Sequence, residues 1–262
     1  MLFAKKSFGQ HFLRDQTVLD KIVAAAAIEA TDIVVEVGPG RGALTEHLAY
    51  LGSRLILVEA DKDLLPELRS KFPLAQIIQA DAAQVDYAEL VASKVAEFNQ
   101  GWILVGNLPY NAGNAIIRQA LTCAHPPKRQ VVMLQREVGE KMLAKPTDMS
   151  LLSVAVQMYA DVKRVATVKP GAFVPPPKVD SIILLLTHNP KSEAPEAVIG
   201  VAKIAFAHKR KQMHRTLADA GLATSDIIKT HLVDLGLSEH ARAEELSITQ
   251  WISLVEKKEF RA

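Results

Sequence analysis

A glycine-rich turn follows a short aliphatic segment near the start of the chain. Residues 35–42 read VEVGPGRG, so a strand-like run passes through Gly38 and Gly40 into a helical segment. Glycines let the backbone approach a ligand closely, and the first N–H groups of a helix can bind one. Gly38, Gly40 and Ala43 also satisfy the dinucleotide pattern GxGxx(G/A). The turn therefore predicts a nucleotide site, and an NAD-dependent oxidoreductase is one candidate.

Carboxylates stand at the ends of the next two predicted strands. Glu59 ends the second strand about 20 residues after the glycines, where a carboxylate can bind both ribose hydroxyls of a nucleotide. Asp81 follows the third strand and could meet an adenine amino group, although a lone aspartate there more often caps a helix. Glu36 adds a carboxylate just before the turn. Because parallel strands present their carboxyl ends on one edge, we expect these groups to line one site.

The motif Asn107-Leu108-Pro109-Tyr110 follows the fourth predicted strand and distinguishes between nucleotide enzymes. Hydride transfer has no evident use for it. A methyltransferase that acts on a planar exocyclic amine does, because the Asn107 amide oxygen and a backbone carbonyl can accept both N–H protons of the amine. Tyr110 can stack on the base. The competing interpretation is a turn with a buried aromatic side chain.

These residues require a parallel sheet to position them. Strands are predicted from short aliphatic runs at residues 33–37, 54–59, 75–79, 102–106 and 130–134, each followed by helical periodicity. Asp15 is the predicted N-cap of a preceding helix. Residues 163–168 and 182–186 predict two more strands, an antiparallel edge on the sheet. The fold class is therefore α/β, a Rossmann-like arrangement with helices on both faces of the sheet.

The pattern changes after Pro190, where only helical spacing remains. Helices are predicted at residues 196–208, 211–220, 224–235 and 243–257. We therefore expect two domains, an α/β domain over residues 1–190 and a smaller helical domain over residues 191–262.

The composition is that of a globular protein of 262 residues. Its single cysteine predicts a reducing compartment without disulfides, and no spacing of Cys or His suggests a metal site. The N-terminus lacks the apolar core of a signal peptide, and the longest apolar runs fall far short of a membrane span. We expect a cytoplasmic protein that does not bind a membrane.

Four motifs occur in the order found in one known family. They are residues 6–13 (KSFGQHFL), 36–40 (EVGPG), 107–111 (NLPYN) and 173–181 (FVPPPKVDS). In these motifs the chain resembles the small-subunit ribosomal RNA adenine N6,N6-dimethyltransferases. The resemblance implies S-adenosylmethionine as the methyl donor. It also implies dimethylation of two adjacent adenosines near the 3′ end of small-subunit rRNA, and a role in small-subunit biogenesis. The implied partner is rRNA within a pre-ribosomal small subunit, bound by a monomer.

The resemblance also assigns roles to individual residues. On the donor side, it places His11 and Leu13 in a flap over the donor, Gly38 and Gly40 at its methionine portion, Glu59 at its ribose, and Asp81 at its adenine. On the target side, Asn107 touches donor and target, Pro109 belongs to the same motif, and Tyr110 and Phe173 sandwich a flipped adenine. No metal is implied.

Alternatives remain open from the sequence. The sister group that methylates one adenine of large-subunit rRNA and confers macrolide-type resistance shares much of the pattern. A ribosome-assembly factor that keeps the fold without catalysis is another candidate. The NLPYN form and the intact PPPKVDS segment favour the small-subunit enzyme.

The net charge of +2 conceals a segregation of charge along the chain. Residues 31–100 carry 6 basic and 11 acidic side chains, whereas residues 101–180 carry 10 basic and 5 acidic ones. Residues 197–218 contain no acidic side chain, and four of their basic residues are the predicted RNA contacts: Lys209, Arg210, Lys211 and Arg215. A nearly neutral total is thus compatible with binding to RNA phosphates.

Overall fold

The structure is a computed structural model that describes residues 10–51, 54–98, 101–208, 211–257 and 260. Residues 6–9 of the first motif, together with Lys209 and Arg210, lie outside the described residues. The chain divides into two compact units, one formed by Met1–Gly139 with Asp161–His188 and the other by Glu140–Ala160 with Asn189–Ala262. We call them the α/β unit and the helical unit.

Nine strands are described. They are β1 (Phe12–Leu13), β2 (Ile33–Val37), β3 (Arg54–Glu59), β4 (Gln76–Gln79), β5 (Trp102–Asn107), β6 (Arg129–Gln135), β7 (Ala160–Val168), β8 (Phe173–Val174) and β9 (Ser181–His188). Seven of them form one sheet in the order β4-β3-β2-β5-β6-β9-β7, and β1 pairs with β8 in a separate two-stranded sheet.

Eleven α-helices are described. They are α1 (Gln16–Ala26), α2 (Ala43–Tyr50), α3 (Leu65–Lys71), α4 (Tyr87–Phe98), α5 (Gly113–Thr122), α6 (Arg136–Met142), α7 (Leu151–Gln157), α8 (Pro195–Phe206), α9 (Met213–Asp219), α10 (Ser225–Asp234) and α11 (Ile248–Val255). None of the helices in the described part of the chain is both long and apolar enough to cross a membrane.

The strand order explains where a ligand can bind in the α/β unit. Strands β4, β3, β2, β5 and β6 run parallel, as predicted from the alternation of strands and helices. The chain builds outward from β2 through β3 to β4 and then returns to the other side of β2 with β5. This reversal opens a crevice beyond the carboxyl ends of β2 and β5, the usual ligand site of such sheets.

The central strands are continuous apolar runs because helices cover both faces of the sheet. Every residue of β2 is buried, and Val34, Leu57, Ile103 and Val131 from four adjacent strands share one core. At the sheet edge β9 runs antiparallel to β6, with Met133 opposite Ile183, and β7 lies beyond β9. The predicted edge strands are therefore present.

Helix α1 precedes the sheet and begins as predicted. The Asp15 side chain accepts a hydrogen bond from the Val18 amide, which satisfies one of the N–H groups that the first helical turn leaves unpaired. The apolar face of α1, including Leu19 and Ile22, packs into the core of the α/β unit.

The helical unit has its own core around Trp251, with Met213 and Leu232 from neighbouring helices. The sequence placed a single boundary at residue 190, whereas the structure also assigns Glu140–Ala160 to this unit. The reason is apolar packing: Val154 and Met158, in and just after α7, are buried in the helical core.

The last predicted helix, residues 243–257, is shorter than expected. Its first residues form a 3₁₀ turn, Ala243–Glu245, and α11 begins only after Ser247. The Ser247 hydroxyl accepts from the Gln250 amide while the Gln250 side chain accepts from the Ser247 amide. This reciprocal capping starts a new helix there.

Candidate active site

A cavity of about 300 Å³ lies at the carboxyl ends of β2, β3 and β5. Nine of the residues predicted for the site line it: His11, Leu13, Gly38, Gly40, Glu59, Asp81, Asn107, Pro109 and Tyr110. His11 and Asn107, 96 positions apart in the chain, therefore meet where the strand order reverses.

The turn after β2 favours glycine at two positions. Gly38 and Gly40 have φ of +66° and +59°, the left-handed region that costs other residues about 1–2 kcal/mol. A Cβ on Gly40 would also lie 3.0 Å from Cδ1 of Phe12. The turn thus keeps its backbone open to the cavity and packs closely under Phe12.

Glu59 ends β3 and is nearly buried at the cavity wall. Its Oε1 accepts from the Asp61 amide at 2.8 Å, and its Oε2 accepts from the Gly40 amide at 3.1 Å. Burial raises the pKa of Glu59, and these two hydrogen bonds act in the opposite direction. The carboxylate is thus held rigidly between the glycine turn and the loop after β3.

Glu36 lies deeper, with only 2% of its surface exposed. The Thr45 hydroxyl donates to its Oε2 at 2.7 Å. Burial raises the pKa of Glu36 to about 8, and the nearby charge of Glu59 adds to the shift. At neutral pH this group is therefore mostly protonated, a property that the sequence alone did not reveal.

Asp81 both caps a turn and lines the cavity. Its Oδ1 accepts from the Ala83 amide at 3.0 Å, and the side chain is exposed. The capping interpretation and the ligand interpretation of the sequence are therefore compatible.

The NLPY motif begins at the end of β5. The Asn107 Nδ2 donates to the His11 carbonyl oxygen at 2.9 Å, so Oδ1 is the acceptor that this side chain keeps. Tyr110 is half-buried, and its hydroxyl shares a hydrogen bond of 3.0 Å with the Ser181 hydroxyl. Ser181 was not predicted as a site residue, although it ends the FVPPPKVDS motif.

Residues Gln10–Arg14, which we call the strap, line the cavity and contact both the loop after β3 and the end of β5. The strap contains β1, in which Leu13 pairs with Phe173 of β8. The His11 Nδ1 lies 2.8 Å from the Pro175 carbonyl oxygen, and its ring lies 5.9 Å from the Tyr110 ring at an interplanar angle of 27°. The residue before His11, Gln10, donates through its Nε2 to Asp61 Oδ2 at 2.9 Å.

Phe173 is the exception among the predicted catalytic residues. It is 2% exposed, packs into the core of the α/β unit and does not line the cavity. Its partner in β1 is Leu13, and both side chains belong to that core. The structure therefore does not bring Phe173 and Tyr110 together as a sandwich.

The described part of the predicted RNA-binding group belongs to the helical unit. Lys211 and Arg215 are both exposed, and the Lys211 Nζ lies 3.8 Å from an Asp219 carboxylate oxygen. Among residues 10–51, 54–98, 101–208 and 211–257, no cluster of three or more His, Cys, Asp or Glu side chains could hold a metal ion.

Comparison with known proteins identifies the family. Residues 1–259 match the family described as "Ribosomal RNA adenine dimethylase". The chain belongs to this family. Its members transfer methyl groups from S-adenosylmethionine, so the chain is a methyltransferase rather than an oxidoreductase.

Curated relatives match over nearly their whole length. A protein from Thermosynechococcus vestitus is 35% identical, with 98% of this chain and 97% of the relative covered. One from Anaeromyxobacter sp. is 38% identical, with 97% and 93% covered. Both relatives carry the name "Ribosomal RNA small subunit methyltransferase A".

Two solved structures share the fold. A dimethyladenosine transferase from Plasmodium falciparum has a TM-score of 0.79 at 25% identity, covering 94% of this chain and 96% of that chain. The 23S rRNA methyltransferase ErmE has a TM-score of 0.76 at 24% identity, covering 94% and 98%. Because enzymes with different targets have this fold, the fold alone does not define the target.

The residues of the cavity fit S-adenosylmethionine. The donor carries ribose hydroxyls and an adenine amino group, which donate hydrogen bonds, and Glu59 and Asp81 supply carboxylate acceptors on the cavity lining. Gly38 and Gly40 line the same cavity, so the backbone of the turn can approach the donor without a side chain between them.

Proposed function

We propose that the enzyme methylates the N6 amines of two adjacent adenosines near the 3′ end of small-subunit rRNA, giving N6,N6-dimethyladenosine. The observation that carries the proposal is the position of Asn107 and Tyr110 in the same cavity as Glu59 and Asp81. An acceptor amide and an aromatic ring thus face a site suited to the donor. The relatives named as small-subunit methyltransferases favour that subunit as the source of the target.

On the donor side, Glu59 binds the ribose hydroxyls and Asp81 the adenine amino group. Gly38 and Gly40 provide the close approach to the methionine portion, since any side chain there would be strained. His11 and Leu13 belong to the strap that covers the donor.

On the target side, Asn107 holds the reacting amine. Since its Nδ2 is committed to the His11 carbonyl, its Oδ1 accepts one N6–H of adenine, and a backbone carbonyl of the motif near Pro109 accepts the other. Tyr110 stacks on the base, a contact worth about 1–3 kcal/mol. Phe173 is the second aromatic of the proposed sandwich, and because it is 2% exposed in the core, it would have to become more accessible to reach the base.

The chemistry is direct displacement at carbon. Bound S-adenosylmethionine supplies an electrophilic methyl group on a sulfonium. Asn107 fixes the protons of the amine so that the N6 lone pair points at that methyl carbon, and positioning of this kind lowers the barrier. As the N–C bond forms, the C–S bond breaks and S-adenosylhomocysteine leaves. The methylated nitrogen then loses its proton to water, so no protein base is required.

We further propose that the enzyme acts in the cytoplasm as a monomer on a pre-ribosomal small subunit. The exposed Lys211 and Arg215, together with Lys209 and Arg210 outside the described residues, would bind RNA phosphates. The predicted RNA-binding role of the helical unit rests on this basic segment.

The test is incubation of the enzyme with unmethylated small ribosomal subunits and methyl-labelled donor. We expect dimethyladenosine near the 3′ end of the small-subunit rRNA with the wild type, and strongly reduced label with Asn107→Ala. Large subunits serve as the control for the macrolide-resistance alternative. Label in large-subunit rRNA would reject the proposed target. Undiminished label with the variant would reject the role of Asn107, and binding of small subunits without any label would favour an assembly factor.

A further inference from the structure

Asp61 contacts both the donor-binding carboxylate and the strap. It lies two residues after β3 and is 3% exposed. Its amide donates to Glu59 Oε1 at 2.8 Å, while its Oδ2 accepts from Gln10 Nε2 at 2.9 Å. A second carboxylate oxygen, Oδ1, accepts from the Asp63 amide at 3.1 Å, which fixes the side chain.

The strap also contacts Asn107 and Tyr110, the proposed target-binding residues of the cavity. The residue after Gln10 is His11, whose carbonyl oxygen accepts from Asn107 and whose ring stacks near Tyr110. A carbonyl oxygen can only accept, so the 2.8 Å contact with Pro175 requires a hydrogen on His11 Nδ1. The backbone and the ring of His11 are therefore both held against target-side groups.

A continuous set of contacts thus runs from Glu59 through Asp61, Gln10 and His11 to Asn107 and Tyr110. We propose that Asp61 and Gln10 are positioning residues that couple donor binding to binding of the target adenosine. The inference rests on the proposed function of the site. Neither residue reacts; each acts through the strap.

The physical reason lies in the hydrogen bonds of Glu59. Both of its oxygens already accept backbone hydrogen bonds, from Asp61 and from Gly40. A ribose hydroxyl that binds Glu59 would use the remaining lone pairs of these oxygens, so the methyl donor and the loop carrying Asp61 would share one carboxylate. The half-buried hydrogen bond from Gln10 to Asp61 links this loop to His11, and through His11 to the groups that would receive adenine.

Coupling of this kind is a measurable free energy and is reciprocal. We would measure the affinity of the full-length enzyme for unmethylated small subunits with and without S-adenosylhomocysteine, which occupies the donor site without turnover. The affinity for S-adenosylhomocysteine would be measured with and without the subunits. In the wild type each ligand should tighten the other by the same factor, within the range of about 5–150-fold.

The variants exploit the chemistry of the contact. Gln10→Glu removes the side-chain N–H that donates to Asp61 and places two carboxylates together. The factor by which each ligand tightens the other should therefore fall towards one. Adding Asp61→Asn restores the hydrogen bond with its direction reversed, because the amide at position 61 can donate to the carboxylate at position 10. The factor should then recover. Gln16→Glu, the same exchange on α1, is the matched control and should keep the wild-type factor.

A second measurement needs no ligand. The Arg14 amide donates to the Ala172 carbonyl at 2.9 Å, so its hydrogen exchange reports whether the strap is held. We expect faster exchange in Gln10→Glu than in Gln16→Glu, with recovery in the double variant.

Wild-type coupling and wild-type exchange in Gln10→Glu would overturn the inference. A double variant with the same coupling and exchange as Gln10→Glu would overturn it as well. A wild type that binds S-adenosylhomocysteine and methylates subunits without any coupling would also overturn it while leaving the proposed function intact. Failure of the wild type to bind S-adenosylhomocysteine would overturn the proposed function as well.

Discussion

Replacing Glu36 by glutamine removes one titrating proton from the interior of the α/β unit with almost no change in shape. Glu36 is 2% exposed and bonded to the Thr45 hydroxyl, and burial raises its pKa from 4.5 to about 8. Glutamine keeps an oxygen that can accept from Thr45 but is neutral at every pH. The variant therefore mimics the protonated form of Glu36.

The sign of the effect follows from the two pKa values. Below pH 4.5 Glu36 is protonated in both the folded and the unfolded chain, so it does not make the unfolding free energy depend on pH. Between pH 4.5 and about 8 only the folded chain holds it, so the stability of the wild type falls as the pH rises. The slope is about 1.4 kcal/mol per pH unit, which gives a loss of about 2–3 kcal/mol from about pH 5.5 to about pH 7.5. Above the folded pKa no further loss arises from this group.

The assay is urea unfolding of the wild type and of Glu36→Gln across this pH range. The difference in unfolding free energy between them should grow in favour of the variant by about 2–3 kcal/mol as the pH rises. Glu59 titrates in both proteins, so its own burial cancels in the difference, and only its charge interaction with Glu36 adds to the effect of Glu36. A difference that stays constant with pH would refute the reasoning, because it would mean that Glu36 is already ionised in the folded chain.

Three further predictions concern the glycine turn, the target site and the basic segment. Gly40→Ala should lower the unfolding free energy by about 1–2 kcal/mol in urea titrations, because alanine is strained at φ +59° and meets Phe12; unchanged stability would contradict the turn geometry. Tyr110→Ala should weaken binding of small subunits by about 1–3 kcal/mol in filter-binding titrations, whereas Tyr110→Phe should keep the stacking and lose only the bond to Ser181; equal losses would contradict a stacking role. Reversing the charges of residues 209–211 should weaken small-subunit binding and flatten its salt dependence while calorimetry shows unchanged donor affinity; a change in donor affinity alone would contradict an RNA role.

The sequence determined those features that depend on local pattern. Aliphatic runs separated by helical spacing predicted the parallel strands, because a strand covered on both faces must be apolar along its length. Asp15 was predictable as a helix cap, since capping requires only one side chain beside a helix start. The position of Gly38 and Asn107 at the cavity was predictable because Gly38 directly follows β2 and Asn107 ends β5, and these strands end at one edge of the sheet.

Only the tertiary structure decided the features that depend on distant packing. Gln10 and Asp61 are 51 positions apart, and no local pattern indicates that their side chains meet. Phe173 lies in β8, which pairs with β1, and these two strands are far apart in the sequence. Likewise, Glu140–Ala160 joins the helical unit because its apolar side chains are buried there, not because of any change in composition. The raised pKa of Glu36 has the same origin: ionisation depends on how much water the folded chain excludes, and a sequence does not contain that quantity.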